Sequence, residues 1–174
     1  WRLIYLWCLS LRAIRRIFLG IVALVISFFL AGCEINIPDK EYDINGIKVT
    51  LEEGLKETEQ DGQTLYLQGL DMEFTALKEP FGNLSEFNLT ENSTEEDYAK
   101  LSIESYNLDS EVIVKDDITY FTYEKEVNGK KYFYLASVHK STDAFYLVQY
   151  ICLSKNKEKY EPKFLTWDKT VKFD

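Results

Sequence analysis

The sequence is poor in the side chains that carry most enzyme chemistry. It has one histidine, His139, in 174 residues. A single imidazole excludes a histidine-rich metal site and any catalytic set built from several histidines. No phosphate-binding loop, dinucleotide fingerprint or zinc-ligand spacing occurs. Arginine is absent after Arg16, and no acidic residue precedes Cys33. Methionine occurs once, at Met72. No apolar run reaches the roughly 20 residues that a spanning helix needs.

Charge and apolarity divide the chain instead. Arg12, Arg15 and Arg16 precede the run Ile17 to Ala31, which is 15 residues long and ends in Leu30-Ala31-Gly32-Cys33. A basic region, a short apolar core and small residues describe an export signal. Glu34 and a polar segment follow, with no stop-transfer lysine cluster. Residues 1–32 therefore read as a signal peptide. Within it, Trp1 to Ser10 reads as an upstream extension, with the natural start nearer Leu11. Leu-Ala-Gly-Cys resembles the lipobox of bacterial lipoproteins. The resemblance implies cleavage between Gly32 and Cys33 and a diacylglyceryl thioether on Cys33, for which sulfur is the suitable nucleophile. The expected location is the outer face of a bacterial cell membrane.

Processing at Cys33 removes four of the 20 basic residues, all arginines, and leaves 16 lysines against 29 acidic groups, a net charge of −13. Such a surface repels phosphate backbones, so no nucleic-acid partner is expected. It also repels anionic lipid headgroups, so the acyl chains, not the protein face, are expected to hold it to the membrane. Only Cys152 then remains as a thiol, so no intrachain disulfide is available and a packed core must hold the domain.

Residues 33–43 read as the lipidated cysteine and a polar tether, and 44–174 as one globular domain. Ile44 to Leu55 alternates as a first strand, with Asn45-Gly46 as the turn before it. Thr64 to Gly69 and Met72 to Lys78 are further strands. Glu79 to Glu91 reads mainly as loop. Ser93 to Glu96 predicts a capping box opening a helix whose apolar stripe is Tyr98, Leu101 and Ser105, ending near Asn107. Residues 118–153 form a meander: Ile118 to Lys125, a turn at Asn128-Gly129, Lys131 to His139, a turn at Ser141 to Asp143, then Phe145 to Leu153. The last of these is apolar throughout and should be central with both faces covered. Lys157 to Thr170 predicts a final helix with Pro162 in its first turn. Its face is Tyr160, Phe164, Trp167 and Val171, with Trp167 packing near Tyr146, Val148 or Tyr150. Val171 to Phe173 could add an edge strand. The class is α+β, a mainly antiparallel sheet flanked by helices.

The order of these elements is similar to the PsbP-like α/β/α sandwich. The hairpin ending Tyr134-Leu135-Ala136-Ser137-Val138-His139-Lys140 and the strand Asp143 to Tyr150 carry most of the likeness. The resemblance covers roughly Ile44 to Phe173 and is one of core positions. It implies partner binding without a catalytic motif.

Three function classes follow. The first is a binding or assembly module with a protein partner and no cofactor. Its candidate surface is Tyr120, Tyr123, Tyr132 and Tyr134, because tyrosine-rich faces favour binding. The second is a structural envelope lipoprotein without a specific ligand. The third is a hydrolase using His139 as general base, oriented by Asp143 or Glu124; against it stands the plain reading of His139 as a hairpin-end residue. Cys152, between Ile151 and Leu153, reads as core filler. The acidic clusters Glu95 to Asp97, Asp109 to Glu111 and Asp116-Asp117 lack the spacing of a Ca²⁺ loop and read as caps and solvated faces.

Overall fold

The structure is a computed structural model that describes residues 37–174. The export signal, the cleavage point at Gly32 and the lipidation point at Cys33 lie outside the described residues.

Strands β1 (Asp39–Ile44) and β2 (Ile47–Glu52) form a hairpin. Its turn is Asn45-Gly46, with φ of 53° and 73°. Two positive φ values are what a two-residue turn matching strand twist requires. The expected strand from Ile44 to Leu55 is β2, shortened to Ile47–Glu52, and the expected tether supplies a further strand, since Asp39 to Asp43 belong to β1. Only Tyr42 of that strand is buried. Its hydroxyl donates to the Glu52 carbonyl and accepts from the Leu55 N–H, each at 3.1 Å. The two-residue strand β10 (Lys172–Phe173) pairs with the other edge of β2 and completes a three-stranded sheet.

The larger sheet has seven antiparallel strands in the order β3-β4-β5-β9-β8-β7-β6. These are β3 (Lys56–Glu57), β4 (Leu65–Gln68), β5 (Met72–Pro80), β6 (Ile113–Lys115), β7 (Ile118–Val127), β8 (Lys130–Lys140) and β9 (Ala144–Leu153). The meander is β7-β8-β9. Asn128 and Gly129, at φ of 51° and 74°, turn β7 into β8 as expected. β9 lies between β5 and β8 and is buried at all but two of its ten positions.

Alternation along these strands makes two cores. On one face Leu67, Phe74, Leu135, Val148 and Tyr150 meet Ile47, Val49 and Leu51 of β2. Tyr160, Phe164 and Trp167 of helix α3 (Lys157–Asp168) close this core. On the other face Phe121, Ala136, Val138, Phe145 and Leu147 meet the one-turn helix α1 (Phe81–Leu84) and helix α2 (Glu95–Ser105). The class is α+β, with antiparallel sheets and three α-helices among the described residues.

Local chemistry explains where the elements differ from expectation. The stretch Glu79 to Glu91 contains the end of β5, α1 and a 3-10 turn at Ser85–Phe87, because Leu84 and Leu89 are buried and pull it onto the sheet. The capping box of α2 is one residue later than its sequence pattern suggests. Thr94 is the N-cap; its Oγ1 accepts from the Asp97 N–H at 3.2 Å, and Asp97 Oδ2 accepts from the Thr94 N–H at 2.9 Å. These bonds hold the Asp97 carboxyl below its ordinary range. Ser93 instead accepts from the Thr90 N–H. The buried face of α2 is Tyr98, Ala99 and Ser102, not Tyr98, Leu101 and Ser105. Ser102 is tolerated there because its hydroxyl donates to the Tyr98 carbonyl at 2.9 Å. α3 begins at Lys157, after a 3-10 turn at Ser154–Asn156, so Pro162 lies inside the helix and removes one helical hydrogen bond.

Trp167 is 3 % exposed and sits in the same core as Tyr146, Val148 and Tyr150, 6.1 Å from the Phe164 ring. Truncating a buried aromatic to alanine costs about 3–5 kcal/mol. Trp167→Ala should therefore lower the melting temperature by roughly 10 °C or more. A thermal melt of parent and variant checks this, and an unchanged midpoint would defeat the packing assignment.

Candidate functional site

The lone histidine belongs to a buried polar cluster. Ser137 and His139, two residues apart on β8, point to the same face, and the last turn of α3 brings Asp168 to them. Asp168 is 1 % exposed. Its Oδ1 accepts from the Ser137 hydroxyl and, at 3.2 Å, from the Tyr150 hydroxyl, while His139 Nε2 lies 3.0 Å away. Burial next to Asp168 pushes the Tyr150 phenol well up, so it stays a donor. Oδ2 of Asp168 is buried without a hydrogen-bond partner among the described residues.

This is not the arrangement expected for a general base. Asp143 and Glu124, read as orienters, are engaged elsewhere. Asp143 pairs with Lys78 at 2.8 Å, and Glu124 with Lys131 at 2.6 Å. Both carboxyls are held below their ordinary range by those lysines. A Ser–His–Asp relay needs serine on one ring nitrogen and the carboxylate on the other. Here Ser137 Oγ, at 3.3 Å, and Asp168 share Nε2, and Ser137 is fully buried. The cluster joins the end of α3 to β8 and β9. The sequence does not single out Asp168; the signal that could have found it is its i+4 spacing from Phe164 on the apolar face of the helix.

Cys152 is buried beneath α3, where burial, with Glu161 nearby, pushes its thiol up to about 12. It is core filler, as expected. Among the described residues no group of three or more His, Cys, Asp or Glu could hold a metal ion. Two acidic clusters have local structural uses: Glu95 to Asp97 form the first turn of α2, and Asp116-Asp117, both at positive φ, turn β6 into β7.

The four candidate tyrosines separate. Tyr120 does not belong to a surface: it is 6 % exposed, in the core under β2 and α3, since its odd spacing from Tyr123 puts it on the opposite face of β7. Tyr123, Tyr132 and Tyr134 share the other face. α1 and α2 cover only the part of that face holding Phe121, Val138, Phe145 and Leu147. Beyond them Tyr123 and Tyr134, directly opposed in register, stack with centroids 4.5 Å apart and planes at 6°. They form the floor of an open groove of about 630 Å³, walled by Gln60, Gln63, Tyr106, Asp109 and Gln149. Burial holds the Tyr123 and Tyr134 phenols above their ordinary range, so both are neutral donors. Gln63 Oε1 is buried there without a partner among the described residues. Tyr132 lies apart, in a shallow depression with Leu70 and Lys130. The groove walls were not readable from the sequence, because Gln60 and Tyr106 come from loops whose positions only the fold sets.

No protein-family model matches the sequence, and no curated protein matches it. Among solved structures the chain is similar to the solution structure of the cyanobacterial PsbP protein CyanoP from Synechocystis sp. PCC 6803. Identity is 10 %, coverage 83 % of this chain and 97 % of that one, and the TM-score 0.47. It is also similar to a protein from Bacteroides thetaiotaomicron VPI-5482, at 12 % identity and a TM-score of 0.47, covering 78 % of this chain and 48 % of that one. The chain thus spans about half the length of the Bacteroides protein.

Asp168 offers the sharper stability test of the polar cluster. Removing this buried acceptor strips the Ser137 and Tyr150 hydroxyls of their partner, at about 1–3 kcal/mol each. Asp168→Ala should lower the urea midpoint accordingly, while Lys169→Ala, on the exposed side, should leave it within about 0.5 kcal/mol. Equal midpoints for the two variants would remove the cluster from the account of stability.

Proposed function

We propose that this chain is a non-catalytic binding module, held by a lipid on Cys33 to the outer face of a bacterial cell membrane, that engages an extended segment of a protein partner at the tyrosine groove. The observation that carries the reading is the stacked Tyr123–Tyr134 pair on an uncovered part of the sheet, beside an open strand edge. β6 pairs only with Ile118 to Tyr120 of β7. The Thr122 carbonyl faces that outer edge, since it accepts from the Ser110 hydroxyl at 2.8 Å. Alternation turns the backbone groups of Glu124 and Glu126 the same way. An extended segment can hydrogen-bond to this edge and lay alternate side chains on the tyrosines, the mode of strand addition. The lipid anchor rests on the basic region, the apolar run and Leu30-Ala31-Gly32-Cys33. The hydrolase reading loses support from the shared ring nitrogen of His139.

Two measurements test this reading. Cys33→Ser should leave an uncleaved precursor without acyl label; normal processing of that variant refutes the anchor. A photo-crosslinking phenylalanine analogue at Tyr134 should give a discrete protein adduct in intact cells, and one at Thr142, beyond the groove, none. Once the adduct is identified, Tyr134→Ala should weaken its binding by about 2 kcal/mol, roughly thirtyfold. An adduct pattern indifferent to position favours the structural envelope reading instead.

A further inference from the structure

The geometry points to a second interaction surface, a bilayer contact at the end of the domain where the chain enters. The inference rests on the proposed anchor at Cys33. Pro38 enters beside β2, its carbonyl accepting from the Glu53 N–H at 2.8 Å. Lys56 is in register with Gln68, and Leu55 packs against Gly69. The hairpin tip Gly69-Leu70-Asp71 is therefore at the entry end. Four residues separate Cys33 from Pro38, five Cα-to-Cα steps with a reach of at most about 18 Å. An acylated Cys33 holds this end, and no other, close to the headgroups.

The side chains at this end suit a membrane surface. Leu70 is fully exposed, at 104 %, the most exposed large apolar residue described. It shares a depression with Tyr132 and Lys130. Val127, 38 % exposed, stands at the neighbouring hairpin tip. An aliphatic tip, a tyrosine and lysines are the residues that sit at bilayer interfaces. Charge is distributed to match. The segments Val127 to Lys131 and Ser154 to Lys159 adjoin through the pairing of Tyr132 with Leu153. Together they hold Lys130, Lys131, Lys155, Lys157 and Lys159 with one acid, Glu158. Asp71 and Glu73 line the Leu70 depression beside Lys130, Glu126 and Glu124 face Lys131 from β7, and Asp39 and Glu53 lie on the β1–β2 side. The net charge of −13 thus conceals a lysine-rich strip at the anchored end, where anionic headgroups are attracted.

The test uses the acylated protein reconstituted into vesicles of phosphatidylcholine, with or without phosphatidylglycerol. Leu70→Cys is labelled with a polarity-sensitive fluorophore; the buried Cys152, with its thiol pushed up to about 12, does not compete. The probe should shift to the blue in vesicles containing phosphatidylglycerol, and the same probe at Thr142→Cys, at the opposite end of the sheet, should stay aqueous. Lys130→Gln and Lys155→Gln should each lower the ratio of lipid-embedded to aqueous probe by about fivefold. The mass of the Cys33 peptide reports acylation independently. Acylated protein whose Leu70→Cys probe matches the Thr142→Cys probe in both vesicle types overturns the bilayer contact and leaves the anchor standing. A Cys33 peptide without acyl mass overturns the anchor and the contact together.

Discussion

Strand β9 is apolar on both faces, and a strand of that kind must be covered on each. Tyr146, Val148, Tyr150 and Cys152 point one way; Phe145, Leu147 and Ile151 point the other. One layer cannot satisfy both sets, so the chain supplies two. The three-stranded sheet and α3 cover one face, and α1 and α2 cover the other. The second cover is too short. An 11-residue helix is about 16 Å long, whereas a ten-residue strand spans about 33 Å. The uncovered remainder is where Tyr123, Tyr134 and Gln149 form a groove. These residues suit a surface that is neither core nor open water: the tyrosines present apolar rings with polar tips, and β9 breaks its apolar run with Gln149 at this place.

The opposite cover is secured by polar contacts at both ends of α3. Near its start, the Tyr160 hydroxyl donates to the buried Glu52 carboxylate, 3.2 Å from each oxygen. At its end, Asp168 takes donors from β8 and β9. Burial raises the Glu52 carboxyl, partly offset by Tyr160 and by Lys163 and Lys159. A carboxyl raised in the folded state contributes most below its unfolded value, and that contribution is lost as pH rises through the folded value. Glu52 therefore costs stability at neutral pH. What it returns is position: a helix that has lost one hydrogen bond at Pro162 is fixed to β2 by one end and to the large sheet by the other.

Legibility of the fold followed how much each segment decides for itself. β7, β8 and β9 were readable because β-branched and aromatic residues, alternation and an Asn-Gly turn agree. β1 was not, because Asp39 to Ile44 has one inward aromatic and joins the sheet through its pairing with β2. The α2 cap was misplaced by one residue because Ser93-Thr94-Glu95-Glu96-Asp97 contains two overlapping capping patterns, and only the burial of Tyr98 and Ala99 chooses between them. Pro162 is expected in the first turn of the last helix, yet tertiary contacts of Tyr160 and Phe164 hold the helix through it from Lys157.

The site was legible by residue type and hidden in its arrangement. Composition announced a tyrosine surface, but parity along β7 sends Tyr120 inward and Tyr123 outward, and the length of α2 decides which outward tyrosines stay accessible. Charge behaves likewise. A net charge describes an average, whereas a membrane only a few ångströms away responds to the nearest lysines, since screening suppresses the rest beyond about 8–10 Å. The strip at the entry end and the groove on the helix side use different residues of the same strands: Lys130 and Tyr132 at the tip of β8, Tyr134 one step inward. On the proposed reading, that separation lets the anchored end rest on lipid while the open edge of β7 remains free to accept a strand.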